Sequence, residues 1–122
     1  MVLADTSIWV DHLRRSRPHL SELLMEGNVA CHPFVIGELA CGNLRNRQEI
    51  LSLLKTLPAS SRVDDDEVVH FIERHRLMGL GIGIVDAHLL ASSWVSGFPL
   101  WTSDKRLLGA VVRLDCTYRS AS

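Results

Sequence analysis

Short apolar runs alternate along the chain with longer stretches in which apolar residues recur every three or four positions, which predicts strands and helices in turn. Val2 to Ala4 is such a run. It ends at the polar cluster Asp5-Thr6-Ser7, which suits the cap of a helix bearing Ile8, Trp9 and Leu13. Pro18 fits the first turn of a second helix, through His19 to Glu26, with Leu20, Leu23 and Leu24 inward and Gly27 as its stop. Asn28 to His32 reads as a second strand. Pro33 restarts a helix through Val35, Ile36, Leu39 and Ala40 to about Gly42, and Arg47 to Leu57 gives another, closed by Pro58.

Ser61 to Val63 reads as a short strand. Asp64-Asp65-Asp66-Glu67 then places negative charge on the first turn of a helix through Val68, Val69, Phe71, Ile72 and Leu77, where the helix dipole favours it. Gly79, Gly81 and Gly83 form a loop before a helix from about Val85 to Val95. Phe98 to Trp101 reads as a buried strand and Val111 to Leu114 as a last one. Short strands alternating with helices predict a parallel sheet covered on both faces, a three-layer α/β/α sandwich with a short, mainly parallel sheet. With 122 residues, 47% hydrophobic and 22% charged, one domain over residues 1–122 is expected, without a second of ordinary size.

Thirteen basic against fourteen acidic residues give net charge −1, so no global basic footprint for duplex DNA exists and any nucleic-acid contact must be a local patch. Arg14, Arg15 and Arg17, with Arg45, Arg47, Arg74, Arg76 and Lys105-Arg106, could supply one. They are equally ordinary solvated helix residues. Cys31, Cys41 and Cys116 are an odd, widely spaced set without a C-x-x-C pair, as expected of reduced thiols in a cytosol. An acid at position 5 interrupts any signal-peptide apolar region, and no stretch of about 18 apolar residues appears. The expectation is a soluble cytoplasmic protein beginning at Met1, with no membrane partner.

In open α/β sheets ligands collect outside the carboxyl ends of the strands, so acids just after strands stand out. Asp5 follows the first strand and Asp104 the Leu100-Trp101-Thr102 segment. Glu38 and Asp86 lie inside apolar stretches, Phe-Val-Ile-Gly-Glu-Leu-Ala and Ile-Val-Asp-Ala-His-Leu-Leu, where a carboxylate needs a partner or a metal. If the four converge, each pair about 4 Å apart repels by about 4 kcal/mol at an effective dielectric near 20. Some pKa values must then rise, or a divalent cation must sit among them. Oxygen ligands without Cys/His spacing favour Mg²⁺ or Mn²⁺ over zinc, and such a site activates water against a phosphodiester.

The ordered set Val-Leu-Ala-Asp5-Thr6-Ser7-Ile-Trp-Val-Asp, Pro-Phe-Val-Ile-Gly-Glu38-Leu, Val-Asp86-Ala-His-Leu-Leu-Ala and Leu-Trp-Thr102-Ser-Asp104-Lys-Arg-Leu resembles the PIN-domain ribonucleases, and among them the VapC toxins of bacterial toxin–antitoxin pairs. The resemblance implies that Asp5, Glu38, Asp86 and Asp104 are catalytic acids holding one or two Mg²⁺ or Mn²⁺ ions for cleavage of single-stranded or looped RNA, with tRNA or an rRNA loop as target. It also implies a homodimer and a VapB antitoxin whose C-terminal segment lies across the site. Thr6 and Thr102 match positions that support the acids. Arg106 and Leu107 depart from the pattern, since many relatives carry a second acid followed by Phe.

Plainer readings exist for each residue. Asp5 could be a helix cap, Asp86 a favourable helix-start acid, and Asp104 a turn residue. His88, two residues beyond Asp86, falls about 200° round a helix from it and is expected to pack elsewhere. The other histidines show no ligand spacing, the three glycines do not make a phosphate loop, and Trp9 and Trp101 suit a core or partner groove. A receiver-type module would need a neighbouring acid pair at the first strand, and a haloacid-dehalogenase-type phosphatase a second acid where Ser7 stands. A degenerate domain of the same fold that only binds RNA or protein is the remaining alternative.

Overall fold

The structure, a computed structural model, describes residues 1–119. Three strands form one parallel sheet in the order β2-β1-β3: β1 (Val2–Ala4), β2 (Val29–Ala30) and β3 (Leu100–Trp101). Val2 pairs with Val29 and Leu3 with Ala30 on one side, and Leu3 pairs with Leu100 and Ala4 with Trp101 on the other. Successive strand residues point to opposite faces. Leu3 and Ala4 are both fully buried, as is Ala30 beside Val29, so both faces of the sheet are covered. This is the expected α/β/α sandwich.

The covering elements are α1 (Thr6–Arg15), α2 (Pro18–Met25), α3 (Pro33–Ala40), α4 (Arg47–Thr56), α5 (Asp65–His75), α6 (Ile84–Ser96) and α7 (Lys105–Arg113). Helices α1, α2 and α6 pack on the strands, α3 lies against α1 and α4, and α5 against α6. Ile8, Leu20, Val35, Leu89, Leu90, Leu107 and Val111 fill the core around β1. The acids at 64–67 form a capping box as a helix start should: Asp64 Oδ1 accepts from the Glu67 amide at 2.7 Å, and Glu67 Oε1 from the Asp64 amide. Among the described residues no helix is long and apolar enough to cross a membrane.

Two expected strands are absent. Val111 to Leu114 is the end of α7, because the apolar run continues a helical pattern, Leu107, Ala110, Val111 and Leu114, on a helix capped by Asp104. The strand-like contact beside β3 comes later, where Leu100 bridges Thr117 and the Leu100 amide bonds the Cys116 carbonyl at 2.8 Å. Nor is Ser61 to Val63 a strand. Beyond β2 the pairing lies at Cys31 and Ala59, and stops because the Ser61 amide bonds Ser96 Oγ and its carbonyl accepts from the Ser92 hydroxyl. The strand expected over Asn28 to His32 also ends at Ala30. His32 turns out of it to cap α3, its Nδ1 accepting from the Phe34 amide at 3.0 Å.

Candidate active site

Because the strands are parallel, their carboxyl ends share one edge, and the residues leaving β1 and β3 meet there. Asp5 leaves β1 and at once caps α1, its Oδ1 accepting from the Ile8 amide at 3.2 Å. The same oxygen accepts from the Ser7 hydroxyl at 2.5 Å, and Oδ2 from the Thr102 hydroxyl at 2.6 Å. The cap reading of Asp5 holds, and the same geometry keeps its carboxyl at the strand end, where the site reading expects it. The residue is 4% exposed, and burial pushes its carboxyl above the ordinary value, against the Ser7 and Thr102 hydroxyls and the Ile8 amide, which pull it down.

Asp104 caps α7, accepting at Oδ1 from the amides of Arg106 (2.9 Å) and Leu107 (3.2 Å). Thr102 Oγ1 ties it to Asp5: it accepts from the Asp104 amide at 3.0 Å while donating to the Asp5 carboxylate. Ser7 makes a parallel bridge, since its Oγ also accepts from the Ser103 amide at 3.1 Å. Thr102 was legible as a supporting residue, but the role of Ser7 was not. The signal lay in the mirrored segments Asp5-Thr6-Ser7 and Thr102-Ser103-Asp104, which interlock hydroxyl to acid.

Glu38 corrects the reasoning that singled it out. Apolar neighbours suggested a buried carboxylate, yet α3 turns this side to solvent and Glu38 is exposed. Its partner is Thr6, whose hydroxyl donates to Oε1 at 2.6 Å. Asp86 stands half-buried on the first turn of α6, and its carboxyl is raised. Burial is the largest cause; the Gly83 amide opposes it, and the charges of Asp104, Asp5 and Glu38 add to it in that order. Asp86 is thus the point at which all four predicted acids act on one another.

Among the described residues no three acidic, histidine or cysteine side chains are drawn close enough to close on one ion, and several carboxylate oxygens turn to protein donors instead. The donor set nonetheless fits a hard divalent cation: it is all oxygen, three of its carboxylates act on the fourth, Asp86, and a cation would offset both the burial and the repulsion there. No histidine joins it. His88 is buried with its ring 4.7 Å from Phe34 and its Nε2 3.6 Å from Asp65 Oδ1.

The glycine loop and the departure at position 106 belong together. Gly81 has φ +78°, and a Cβ there would lie 2.9 Å from Arg106 Cδ. The loop therefore lets the Arg106 side chain lie against its backbone just ahead of α6.

A parallel α/β sandwich with acids at the carboxyl edge is the arrangement of a PIN domain. Residues 2–112 match the family model for the PIN domain, and the chain belongs to that family. Within it the likeness narrows to the VapC proteins. Ribonuclease VapC32 of Mycobacterium tuberculosis is 48% identical over 111 residues, 90% of each chain. Ribonuclease VapC1 of Methanocaldococcus jannaschii is 27% identical over 109 residues, 86% of this chain and 76% of that protein. The crystal structure of PAE2754 from Pyrobaculum aerophilum superposes with a TM-score of 0.60 over 93% of this chain and 88% of that one, at 18% identity, a likeness of fold.

Proposed function

We propose that this chain, as one domain over residues 1–122, is a metal-dependent endoribonuclease toxin that hydrolyses phosphodiester bonds in tRNA or rRNA loops. A VapB-type antitoxin would restrain it, and it would act in the bacterial cytoplasm as a homodimer. The reading is supported by Asp5 and Asp104 leaving the carboxyl ends of β1 and β3 and being tied together through the Thr102 hydroxyl, with the charges of Asp104, Asp5 and Glu38 all felt at Asp86. Asp5, Glu38, Asp86 and Asp104 would together hold Mg²⁺ or Mn²⁺. A divalent cation bound by them would lower the pKa of a water so that it gives up a proton and attacks phosphorus as hydroxide, and would offset the negative charge that develops on the leaving 3′-oxygen. The chain's own contribution is positioning. Ser7 and Thr102 fix both oxygens of Asp5, Thr6 aims Glu38, and the α7 amides fix Asp104.

The test is cleavage of total bacterial RNA by wild-type protein and by Asp5→Asn, each with Mg²⁺, Mn²⁺ or EDTA, with the cut positions mapped. Discrete cuts that need both the metal and Asp5 are expected. Folded, antitoxin-free, metal-loaded wild type that cuts nothing would leave the binding-only domain as the reading.

A further inference from the structure

Beside Thr6 and Ser7, whose hydroxyls bond Glu38 and Asp5, lies a cleft of about 660 Å³ whose lining also includes Arg14, Arg15, Arg17 and Ser103. We propose that this cleft seats backbone phosphates of the RNA strand beside the bond that is cut, with Arg14, Arg15 and Arg17 as the cations that take them. The inference rests on the ribonuclease reading and deepens it by naming where the substrate lies.

The cleft and the acid site share a floor. Thr6 and Ser7, which line the cleft, are the residues whose hydroxyls hold Glu38 and Asp5. A strand lying along the arginines would therefore reach the two residues that hold Glu38 and Asp5. The cations are also arranged in advance. Asp11 bonds Arg15 Nε at 3.2 Å through one oxygen and Arg17 Nε at 2.5 Å through the other. Among the described residues each of those guanidinium groups keeps its four terminal N–H donors for another ligand. The Arg17 group further lies over the Trp101 ring, 5.4 Å from its centre, and that ring meets His19 and Tyr118. Asp11 is held ionised by these arginines, chiefly by the Arg17 hydrogen bond.

Three guanidinium groups against the single carboxylate of Asp11 leave this wall positive in a chain whose net charge is −1. Planar guanidinium groups match phosphate oxygens two at a time. A polyanion is drawn to this wall and away from the neighbouring acids, which must repel it until a cation is present. Phosphates next to the scissile one, held by arginine, are the arrangement that satisfies both.

The salt dependence of RNA binding tests this directly. Binding of a short fluorescein-labelled single-stranded RNA is followed by anisotropy over a range of salt for the wild type, for the Arg14→Gln/Arg15→Gln double variant, and for Lys55→Gln as a control on α4. Arg14 and Arg15 are exposed, and circular dichroism verifies that the variant folds. The double variant is expected to show a log K against log salt slope shallower by about 1.4, since each lost single-strand phosphate contact removes about 0.7. Its KM for RNA cleavage should rise, while Lys55→Gln keeps the wild-type slope. A double variant with the full slope, or a control that loses as much, overturns the cleft while leaving the nuclease reading intact, and an acidic protein segment would then be the ligand to try. Wild type that neither binds nor cuts RNA overturns both.

Discussion

Asp5 caps a helix and belongs to the acid cluster at the same time, and the two roles place opposite demands on its charge. The cap and its hydroxyl donors favour the carboxylate, while burial favours the neutral acid, and burial is the larger effect. A group with a raised folded pKa contributes stability when protonated and loses it as pH rises through that pKa. Asn resembles the protonated form and can still cap. Asp5→Asn should therefore melt at or above the wild-type temperature at neutral pH while losing RNA cleavage by more than about a hundredfold. Thermal melts set beside cleavage rates decide this, and a variant that melts far lower would show Asp5 to be structural.

His32 gives the opposite pH dependence. Its buried ring is pushed down to about 4, first by burial and then by electrostatic interaction with neighbouring His88 and Arg62. Above about pH 6.5 the ring is neutral folded or unfolded and costs nothing. Below that the unfolded chain binds a proton that the folded one refuses, so stability falls as pH drops from 6.5 toward about 4, by up to roughly 3 kcal/mol. His32→Asn keeps a cap for α3 and removes the proton. Urea melts across this range should show the wild type losing more stability than the variant, and parallel curves would contradict the assignment.

At the scale of elements, helices were legible where caps and spacing agreed. Pro18, Pro33 and the acids at 64–67 all stand at helix starts. Val111 to Leu114 reads as a strand only when its apolar residues stand as a run of their own. Read back to Leu107, they follow the helical repeat that Asp104 initiates. The short strand at 61–63 failed for a different reason, since the serine side chains of α6 that claim the Ser61 backbone are distant in sequence. The glycine loop shows a further limit: its spacing excluded a phosphate loop, but only the fold brings Gly81 against Arg106. Gly81→Ala must adopt a positive φ and displace the arginine, and should cost about 1 kcal/mol or more in a denaturant melt. An unchanged midpoint would mean that the loop is free to rearrange.

Across the whole molecule, parallel strands gather their carboxyl ends, so an acid after β1 and another after β3 are neighbours however far apart in sequence. That much of the site was legible from position alone. Glu38 stands out in the sequence through its apolar surroundings although it is exposed, and the bridge made by Ser7 is hidden there because its partner loop lies 96 residues away. Three of the acids lie at helix starts, Asp5 and Asp104 as caps and Asp86 in the first turn of α6, where the helix dipole moderates their mutual repulsion. It does not remove it, since the charges of the other three still add to the rise that burial causes at Asp86.

That residual repulsion is the central claim in measurable form. Mn²⁺ titrated into the wild type and into Asp86→Asn, with free Mn²⁺ read by electron paramagnetic resonance, should show a site in the wild type and binding weaker by about tenfold or more in the variant, a loss of at least about 1.4 kcal/mol. Equal binding by the two proteins, or none by the folded wild type, would contradict a metal site built on these four acids.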